Sequence, residues 1–343
     1  MDRTQKIKRL LCKAEIVLRG HILNPLWSSR LERRRTRGEA IQRAVCRYLE
    51  SYRGFIAGLA PEGVERGLSL CRETAQAHAG EQSQPVTDGE DASRHIFSIW
   101  FQGEAAAPPL VKACWESIRR SCPEPLTVLD SETIFEWIRL PEHIVRKWKE
   151  GKIRPAHFAD ICRLALLEEY GGVWVDATDY VSAPFPEWLW ECDFFVYMSG
   201  ERQRGCHSFI QNCFIRAKKG SFLAGAWLSL IYEYWKREDG PMDYFIHQLL
   251  FKMLVENNAL ATREFEAMPH LCQDPTHEVW FAHGAEPFYP EKWAAMTSAA
   301  LFQKTEFKSV LATSPAPGTN AYHLINSVRE NGKEKVSESV SSL

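Results

Sequence analysis

Residues 156–179 read Ala-His-Phe-Ala-Asp-Ile-Cys-Arg-Leu-Ala-Leu-Leu-Glu-Glu-Tyr-Gly-Gly-Val-Trp-Val-Asp-Ala-Thr-Asp, and this stretch decides the fold. Residues 157–169 leave almost no polar face, which predicts a helix that is buried nearly all round. The two glycines that follow end this helix, and the first suits a left-handed cap that satisfies the last carbonyls. The run Val-Trp-Val at 173–175 is β-branched and aromatic, so it predicts a buried strand.

Predicted strands and helices alternate along the chain up to this stretch. Strands are predicted at 96–101, 126–129 and 173–176, and helices at 110–120, 132–138 and 157–169. Such alternation predicts an α/β fold, an open sheet with helices on both faces.

The composition predicts three regions in the 343 residues, of which 45% are hydrophobic and can form a packed core. Residues 1–92 form a basic helical N-terminal extension that ends in a polar linker at 79–93. Residues 93–329 form the α/β domain. Residues 330–343 are polar and predict a disordered tail.

The basic charge is concentrated at the N-terminus. Residues 1–50 contain 13 Lys or Arg against 5 Asp or Glu, although the whole chain carries a net charge of −2. Residues 7–18 place apolar side chains at helical spacing among basic ones, which predicts an amphipathic helix. Such a helix lies on an anionic membrane surface or docks on its own protein, and the sequence leaves both open. A nucleic acid partner is not expected.

The cysteine pattern favours a reducing compartment. None of the ten cysteines forms a Cys-x-x-Cys pair or a zinc-like cluster with histidine. The N-terminus lacks the apolar core of a secretory signal, and no uncharged apolar run of about 18 residues occurs. We therefore expect a cytoplasmic protein, with peripheral attachment to the inner face of the plasma membrane left open.

Four charged side chains around the deciding stretch are candidates for a binding site. Asp160 and Arg163 are three residues apart on the buried helix. They form either an internal ion pair or part of a polar pocket that binds sugar hydroxyls and phosphate. Asp176 falls at the carboxyl end of a strand, where open α/β sheets bind ligands, and Asp179 follows in the turn. Two such carboxylates can hold Mg²⁺ or Mn²⁺, which would bridge a diphosphate, although most acidic pairs at this spacing are surface charge.

Residues 156–163 leading into 170–176 resemble the glycosyltransferases with a DXD sugar-binding motif, especially those called capsular polysaccharide synthesis proteins. Residues 96–103 are similar to the family's first strand, and residues 212–220 to a downstream strand. The resemblance implies a GT-A fold, a Rossmann-like open mixed sheet flanked by helices. It also implies a nucleotide-sugar donor, with a UDP-sugar preferred, Mn²⁺ or Mg²⁺, a glycan acceptor and retention of anomeric configuration.

The resemblance assigns roles to particular residues. Trp100 would stack on the nucleotide base, and the donor sugar and its phosphates would be bound by three residues with catalytic roles: Asp160, Arg163 and Asp176. Asp176 would also be the first carboxylate of the metal motif. The family's second acid lies two residues later, where this chain has Thr178. The metal shell is therefore predicted to include Asp179, or else Thr178 and waters.

Further residues are candidates for metal or sugar binding, although a purely structural role is an alternative for several of them. His323 is a candidate third metal ligand, although a lone histidine is more often packed or exposed. His247 and Asp243 are candidates to face the acceptor. Four tryptophans form either a sugar platform or part of the core: Trp188, Trp190, Trp227 and Trp235.

The predicted activity is a metal-dependent glycosyltransferase of capsular or surface polysaccharide synthesis. Two alternatives stay open. A non-catalytic carbohydrate-binding protein of the same fold is favoured by Thr178 in place of the usual acid. A metal-dependent phosphoesterase would use the same two aspartates but would need further ligands for a second metal.

Overall fold

The structure is a computed structural model that describes residue 11 and residues 30–79, 94–200 and 209–326. The predicted basic helix at 7–18, apart from Leu11, the linker from residue 80 onward and the tail at 330–343 lie outside the described residues. Within the described ranges, no helix combines the length and apolar character needed to cross a membrane.

A mixed five-stranded sheet is the centre of the molecule. The strands of the described residues are β1 (Ile96–Ile99), β2 (Leu126–Leu129), β3 (Gly172–Val175), β4 (Asp179–Tyr180), β5 (Phe194–Met198), β6 (Ile210–Ala217) and β7 (Gln303–Lys304). The large sheet has the order β2-β1-β3-β6-β5, and β4 and β7 form a separate pair. Strand β1 is parallel to β2 and β3, whereas β6 is antiparallel to β3 and β5. The predicted open α/β sheet is confirmed.

Helices surround this sheet. Those of the described residues are α1 (Arg30–Leu49), α2 (Arg53–Ala57), α3 (Pro61–Ala79), α4 (Pro109–Ser121), α5 (Ile134–Trp137), α6 (Glu142–Lys149), α7 (Pro155–Tyr170), α8 (Glu187–Glu191), α9 (Phe222–Arg237), α10 (Ile246–Asn257), α11 (Ala259–Ala267), α12 (Pro290–Ser298) and α13 (Val310–Thr313). The predicted helices at 110–120 and 157–169 match α4 and α7, and the one at 132–138 is reduced to α5.

The alternating side chains of β3 separate two cores. Trp174 points into the larger core, which α7 and α9 cover, whereas Val173 and Val175 point into the smaller core against α4. Helices α1 and α3 add Tyr48 and Leu68 to the larger core. The helical N-terminal region therefore packs on the α/β domain, and the predicted boundary at residue 92 stays a prediction.

Two glycines join α7 to β3, and neither forms the predicted left-handed cap. Gly171 has φ 73° and ψ −161°, an extended conformation that essentially only glycine adopts. Its N–H still bonds the carbonyl oxygen of Leu167 at 2.9 Å. Gly172 has φ 101°, and a Cβ there would lie 2.4 Å from the carbonyl oxygen of His95. The chain therefore turns directly into β3 against the residue that precedes β1.

Candidate active site

A cleft of about 650 Å³ opens where the parallel strands β1 and β3 end. Open α/β sheets bind ligands at this edge, because the loops after parallel strands diverge there. The cleft is lined by residues after both strands and by the first turns of α7, among them Trp100, Asp160, Arg163, Asp176 and Thr178. The structure thus brings together the donor-site residues that the sequence predicted.

Arg163 is the buried centre of one wall, with a side chain only 6% exposed. Its guanidinium lies 3.2 Å from Asp160 Oδ1 and 3.4 Å from Asp176 Oδ1. It donates to the backbone carbonyl of Asn212 and packs over the Trp174 ring, 5.1 Å from the centroid. This side chain therefore connects α7, β3 and β6, and it adds a positive charge to the cleft.

Asp160 is held by a network of polar groups in addition to Arg163. The Asn212 amide donates to Asp160 Oδ1 at 3.0 Å and to His247 Nδ1 at 2.8 Å, while Gln248 donates to the Asn212 oxygen at 2.9 Å. Burial lowers the pKa of His247 to about 3, so its imidazole is neutral. Burial alone would raise the pKa of Asp160, yet the positive charge of Arg163 at 3.2 Å holds it below its usual value. A carboxylate is therefore fixed in the wall of the cleft.

Asp176 receives donors on both of its carboxylate oxygens. Trp174 Nε1 donates to Oδ1 at 2.8 Å, and Lys304 Nζ donates to Oδ2 at 3.1 Å. Burial favours the neutral acid, but Lys304 and Arg163 outweigh it and hold the pKa of Asp176 below its usual value. Asp176 is therefore an anion, and its side chain is still 27% exposed to the cleft.

Lys304 lies inside the acidic turn that follows β3. Its ammonium bonds Asp179 Oδ1 at 2.9 Å, Thr178 Oγ1 at 3.1 Å and Asp176. Strand pairing explains this position, because Asp179 and Lys304 are direct partners in the antiparallel pair of β4 and β7. Although burial opposes it, the carboxylates of Asp179 and Asp176 raise the pKa of Lys304 well above its usual value.

Asp179 faces the protein rather than the cleft. Its side chain has no exposed surface, and Oδ2 is buried without a hydrogen-bond partner. Complete burial raises the pKa of Asp179 to about 7, even though Lys304 acts to lower it. Asp179 therefore serves as a buried partner of Lys304 in this structure.

Other residues that line the cleft are aromatic and basic. Trp100 meets Phe307 edge to face, with ring centroids 5.1 Å apart, and Lys308 follows with an exposed side chain. Tyr244 stands at the rim and is 67% exposed. A planar base and a polyanionic diphosphate both find complementary surfaces here, since aromatic faces stack on bases and ammonium groups bind phosphate.

Comparison with known proteins identifies the family. The model of the family described as capsular polysaccharide synthesis protein matches residues 69–322. The chain belongs to this family. It is 25% identical over 215 residues to the O-glycosyltransferase braB of Annulohypoxylon truncatum, a match that covers 55% of this chain. The chain spans about half of that relative, 49% of its length. Among solved structures it is similar to the PaToxG glycosyltransferase, with 14% identity, a TM-score of 0.34, and coverage of 63% and 84% of the two chains.

In this member of the family, the predicted ligands Asp176, Asp179 and His323 do not assemble into one metal site. The ring of His323 stacks on Phe288 with centroids 3.7 Å apart and meets Trp293 edge to face. Across the described residues, no group of three or more His, Cys, Asp or Glu side chains is placed to hold a metal ion. The Mn²⁺ or Mg²⁺ ion itself stays a prediction.

The acceptor-side candidates also have structural partners in this family member. His247 is 1% exposed and stacks on Trp227, so it supports the wall from behind. Asp243 accepts a bond from the backbone N–H of Phe245 at 2.8 Å, which shapes the turn before α10. Three of the four tryptophans are buried and the fourth packs against the smaller core, as the plainer interpretation expects: Trp190, Trp227, Trp235 and, at the core's edge, Trp188.

Several polar residues of the site were not predicted from the sequence, Lys304 and Asn212 among them. Lys304 belongs to a two-residue strand, so no local pattern marks it, and only its pairing with β4 brings it to the acidic turn. Asn212 lies in a stretch that resembles the family, but its role depends on a contact with α7 that is distant in sequence.

Proposed function

We propose that this chain transfers a sugar from a nucleotide-sugar donor bound in the cleft to the hydroxyl of a glycan acceptor. One observation carries the proposal. Arg163 contacts both Asp160 and Asp176, and these three residues line a cleft of about 650 Å³ together with Trp100 and Lys308. That volume accommodates a small ligand of the size of a nucleotide sugar.

The chemistry of transfer explains these residue types. Departure of the diphosphate develops negative charge on its oxygens, and preorganised cations stabilise that charge. Arg163 and Lys308 line the cleft, and the Lys304 ammonium bonds the lining residue Asp176 at 3.1 Å. The fixed carboxylate of Asp160 accepts hydrogen bonds from sugar hydroxyls, and the ring of Trp100 stacks on the base.

The finer features of the proposal are a UDP-sugar as donor and retention of configuration. A surface or capsular polysaccharide is the proposed acceptor class, and the name of the fungal relative supports transfer to oxygen. The fit of the predicted metal is poor, because both oxygens of Asp176 already receive donors and Asp179 is buried. Action on the cytoplasmic side of a membrane is proposed from the sequence alone.

The test is a nucleotide-binding and turnover screen. The purified full chain is titrated with UDP, GDP and CMP by calorimetry, with Mn²⁺ and with EDTA, and then incubated with the matching sugar nucleotides to measure the released nucleotide. We expect one nucleotide to bind and Asp176→Asn to weaken that binding at least tenfold. Asp193→Asn is the matched control, since Asp193 is 75% exposed and lies outside the cleft lining.

Three other outcomes would reject the proposal. Binding of free sugars without any nucleotide indicates a carbohydrate-binding protein. Release of inorganic phosphate from simple phosphate esters indicates a phosphoesterase, although the described residues lack the cluster of ligands that a two-metal site needs. If UDP, GDP and CMP all fail to bind, both with Mn²⁺ and with EDTA, the cleft is not a site for a nucleotide-sugar donor.

A further inference from the structure

The position of Lys304 conflicts with a metal shared by the two aspartates of the turn. Its ammonium bonds Asp179 Oδ1 at 2.9 Å and Asp176 Oδ2 and Thr178 Oγ1 at 3.1 Å each. These three oxygens are the ligands that the sequence offered to Mn²⁺ or Mg²⁺. The ammonium therefore occupies the space between them that such an ion would need.

The remaining ligand capacity of the turn is small. Asp176 Oδ1 accepts from Trp174 and faces Arg163, so both oxygens of this carboxylate are engaged. The carboxylate of Asp179 is completely buried, and its second oxygen points into protein. Mg²⁺ demands oxygens at about 2.0–2.1 Å in octahedral geometry, which these groups do not present toward the cleft.

Charge leads to the same conclusion. A divalent ion at the turn would lie beside the ammonium of Lys304 and the guanidinium of Arg163, and like charges repel strongly at such separations in a partly buried site. Two fixed cations, Arg163 and Lys304, already lie among the acids Asp160, Asp176 and Asp179. These acids therefore have counter-charges in place before a ligand arrives, and the Lys304 side chain remains 18% exposed.

We propose that the Lys304 ammonium supplies the positive charge expected of a divalent cation, so that this chain binds the diphosphate of its donor without a metal. The inference rests on the proposed nucleotide-sugar activity. It identifies Lys304 as a residue of the donor site, and β7 as the element that positions it. Lys304 and Arg163 together flank the diphosphate, while Asp176 and Asp179 hold Lys304 in place.

The first test measures metal binding alone, without nucleotide. Free Mn²⁺ is followed by electron paramagnetic resonance while it is titrated with the full chain. We expect no binding by the wild type below about 1 mM and binding by Lys304→Ala, in which the carboxylates of the turn are released. Stoichiometric Mn²⁺ binding by the wild type, abolished by Asp176→Asn, would overturn the inference.

The second test measures nucleotide affinity by calorimetry, using whichever of UDP, GDP and CMP binds. Wild-type affinity in EDTA should lie within threefold of that in Mn²⁺. The nucleotide affinity of Lys304→Ala in EDTA should be at least tenfold lower than that of the wild type, and Mn²⁺ should restore much of this affinity. Lys292→Ala is the control, because Lys292 also pairs with a carboxylate at 2.6 Å, but that carboxylate is Glu286 and not an acid of the turn after β3.

A further variant guards against misfolding, because Lys304→Ala leaves two buried acids without their cation. In Lys304→Met combined with Asp179→Asn, the opposing charges are removed together, and the variant should fold, lose affinity in EDTA and fail to recover with Mn²⁺. If the wild type binds nucleotide only with Mn²⁺, the glycosyltransferase proposal stands and the role of Lys304 is refuted. If no nucleotide binds in either condition, both proposals fail.

Discussion

The junction of α7 and β3 makes a quantitative prediction for Gly172→Ala. At φ 101°, an alanine is strained by about 1–3 kcal/mol. Its methyl group would lie 2.4 Å from the carbonyl oxygen of His95 and 3.2 Å from the carbonyl carbon. The backbone must separate there, and the same oxygen accepts the N–H of Val173 at 2.8 Å. Overpacking of this kind costs about another 1–3 kcal/mol.

The expected loss of unfolding free energy is therefore about 1–5.6 kcal/mol, centred on about 3 kcal/mol, after a gain of about 0.4–1 kcal/mol from the stiffer unfolded chain. That loss is a large share of the roughly 5–15 kcal/mol typical of folded proteins. Gly220→Ala is the matched control, because Gly220 also has a positive φ, 74°, but a Cβ there would meet no heavy atom within 4 Å. Gly220→Ala should lose about 1 kcal/mol of unfolding free energy.

Urea unfolding followed by tryptophan fluorescence measures both variants. The twelve tryptophans give a strong signal. If the slope of unfolding free energy against urea concentration is unchanged, the two variants expose the same amount of surface on unfolding. If the two alanine variants differ by less than about 1 kcal/mol, the close approach of Gly172 to His95 is refuted. A large loss in Gly172→Ala should also reduce nucleotide binding, since β3 carries the acidic turn.

Three further predictions concern single side chains. Trp100→Ala should weaken nucleotide binding by about 1–3 kcal/mol in calorimetry while Trp100→Phe retains most of it, and equal loss in both would argue against stacking. Burial lowers the pKa of His247 from 6.5 to about 3, so the unfolded chain binds a proton below pH 6.5 that the folded chain does not bind. The free energy of unfolding should therefore be highest above pH 6.5 and decline as the pH falls toward 3, and the urea midpoint of His247→Gln should decline less. Iodoacetamide should modify the exposed Cys272 in the native chain and the buried Cys213 only after unfolding. Peptide mass spectrometry identifies the modified residues, and labelling of Cys213 in the native chain would contradict its burial.

Much of the fold was predictable because its signals are local. The apolar helix α7, the two glycines and β3 follow one another within about twenty residues, and their hydrophobic pattern is that of a fully buried helix and strand. The predicted strand at 126–129 has the bounds of β2. The conformation of Gly171 was not predictable, because its extended ψ is set by the neighbouring loop, in which a Cβ at Gly171 would meet Lys219.

The candidate site was predictable only in part. Asp160, Arg163 and Asp176 lie close in sequence, and the helix-to-strand connection alone brings them to one edge of the sheet. Lys304 comes from a two-residue strand whose position depends on tertiary pairing, so its place between the acidic groups has no local signal. The second acid of the metal motif was expected at the cleft, whereas Asp179 turns inward as the strand partner of Lys304.

The separation of Asp179 and Lys304 along the chain sets an order of events during synthesis. The acidic turn leaves the ribosome 125 residues before its counter-charge. At about 5–20 residues per second, that delay lasts on the order of 6–25 seconds. Through this interval the sheet of β1 and β3 can form, but the acidic turn has Arg163 as a neighbouring cation and still lacks Lys304. The sheet can thus form before the Lys304 ammonium reaches the acidic turn, and synthesis of β7 is the step that completes this contact.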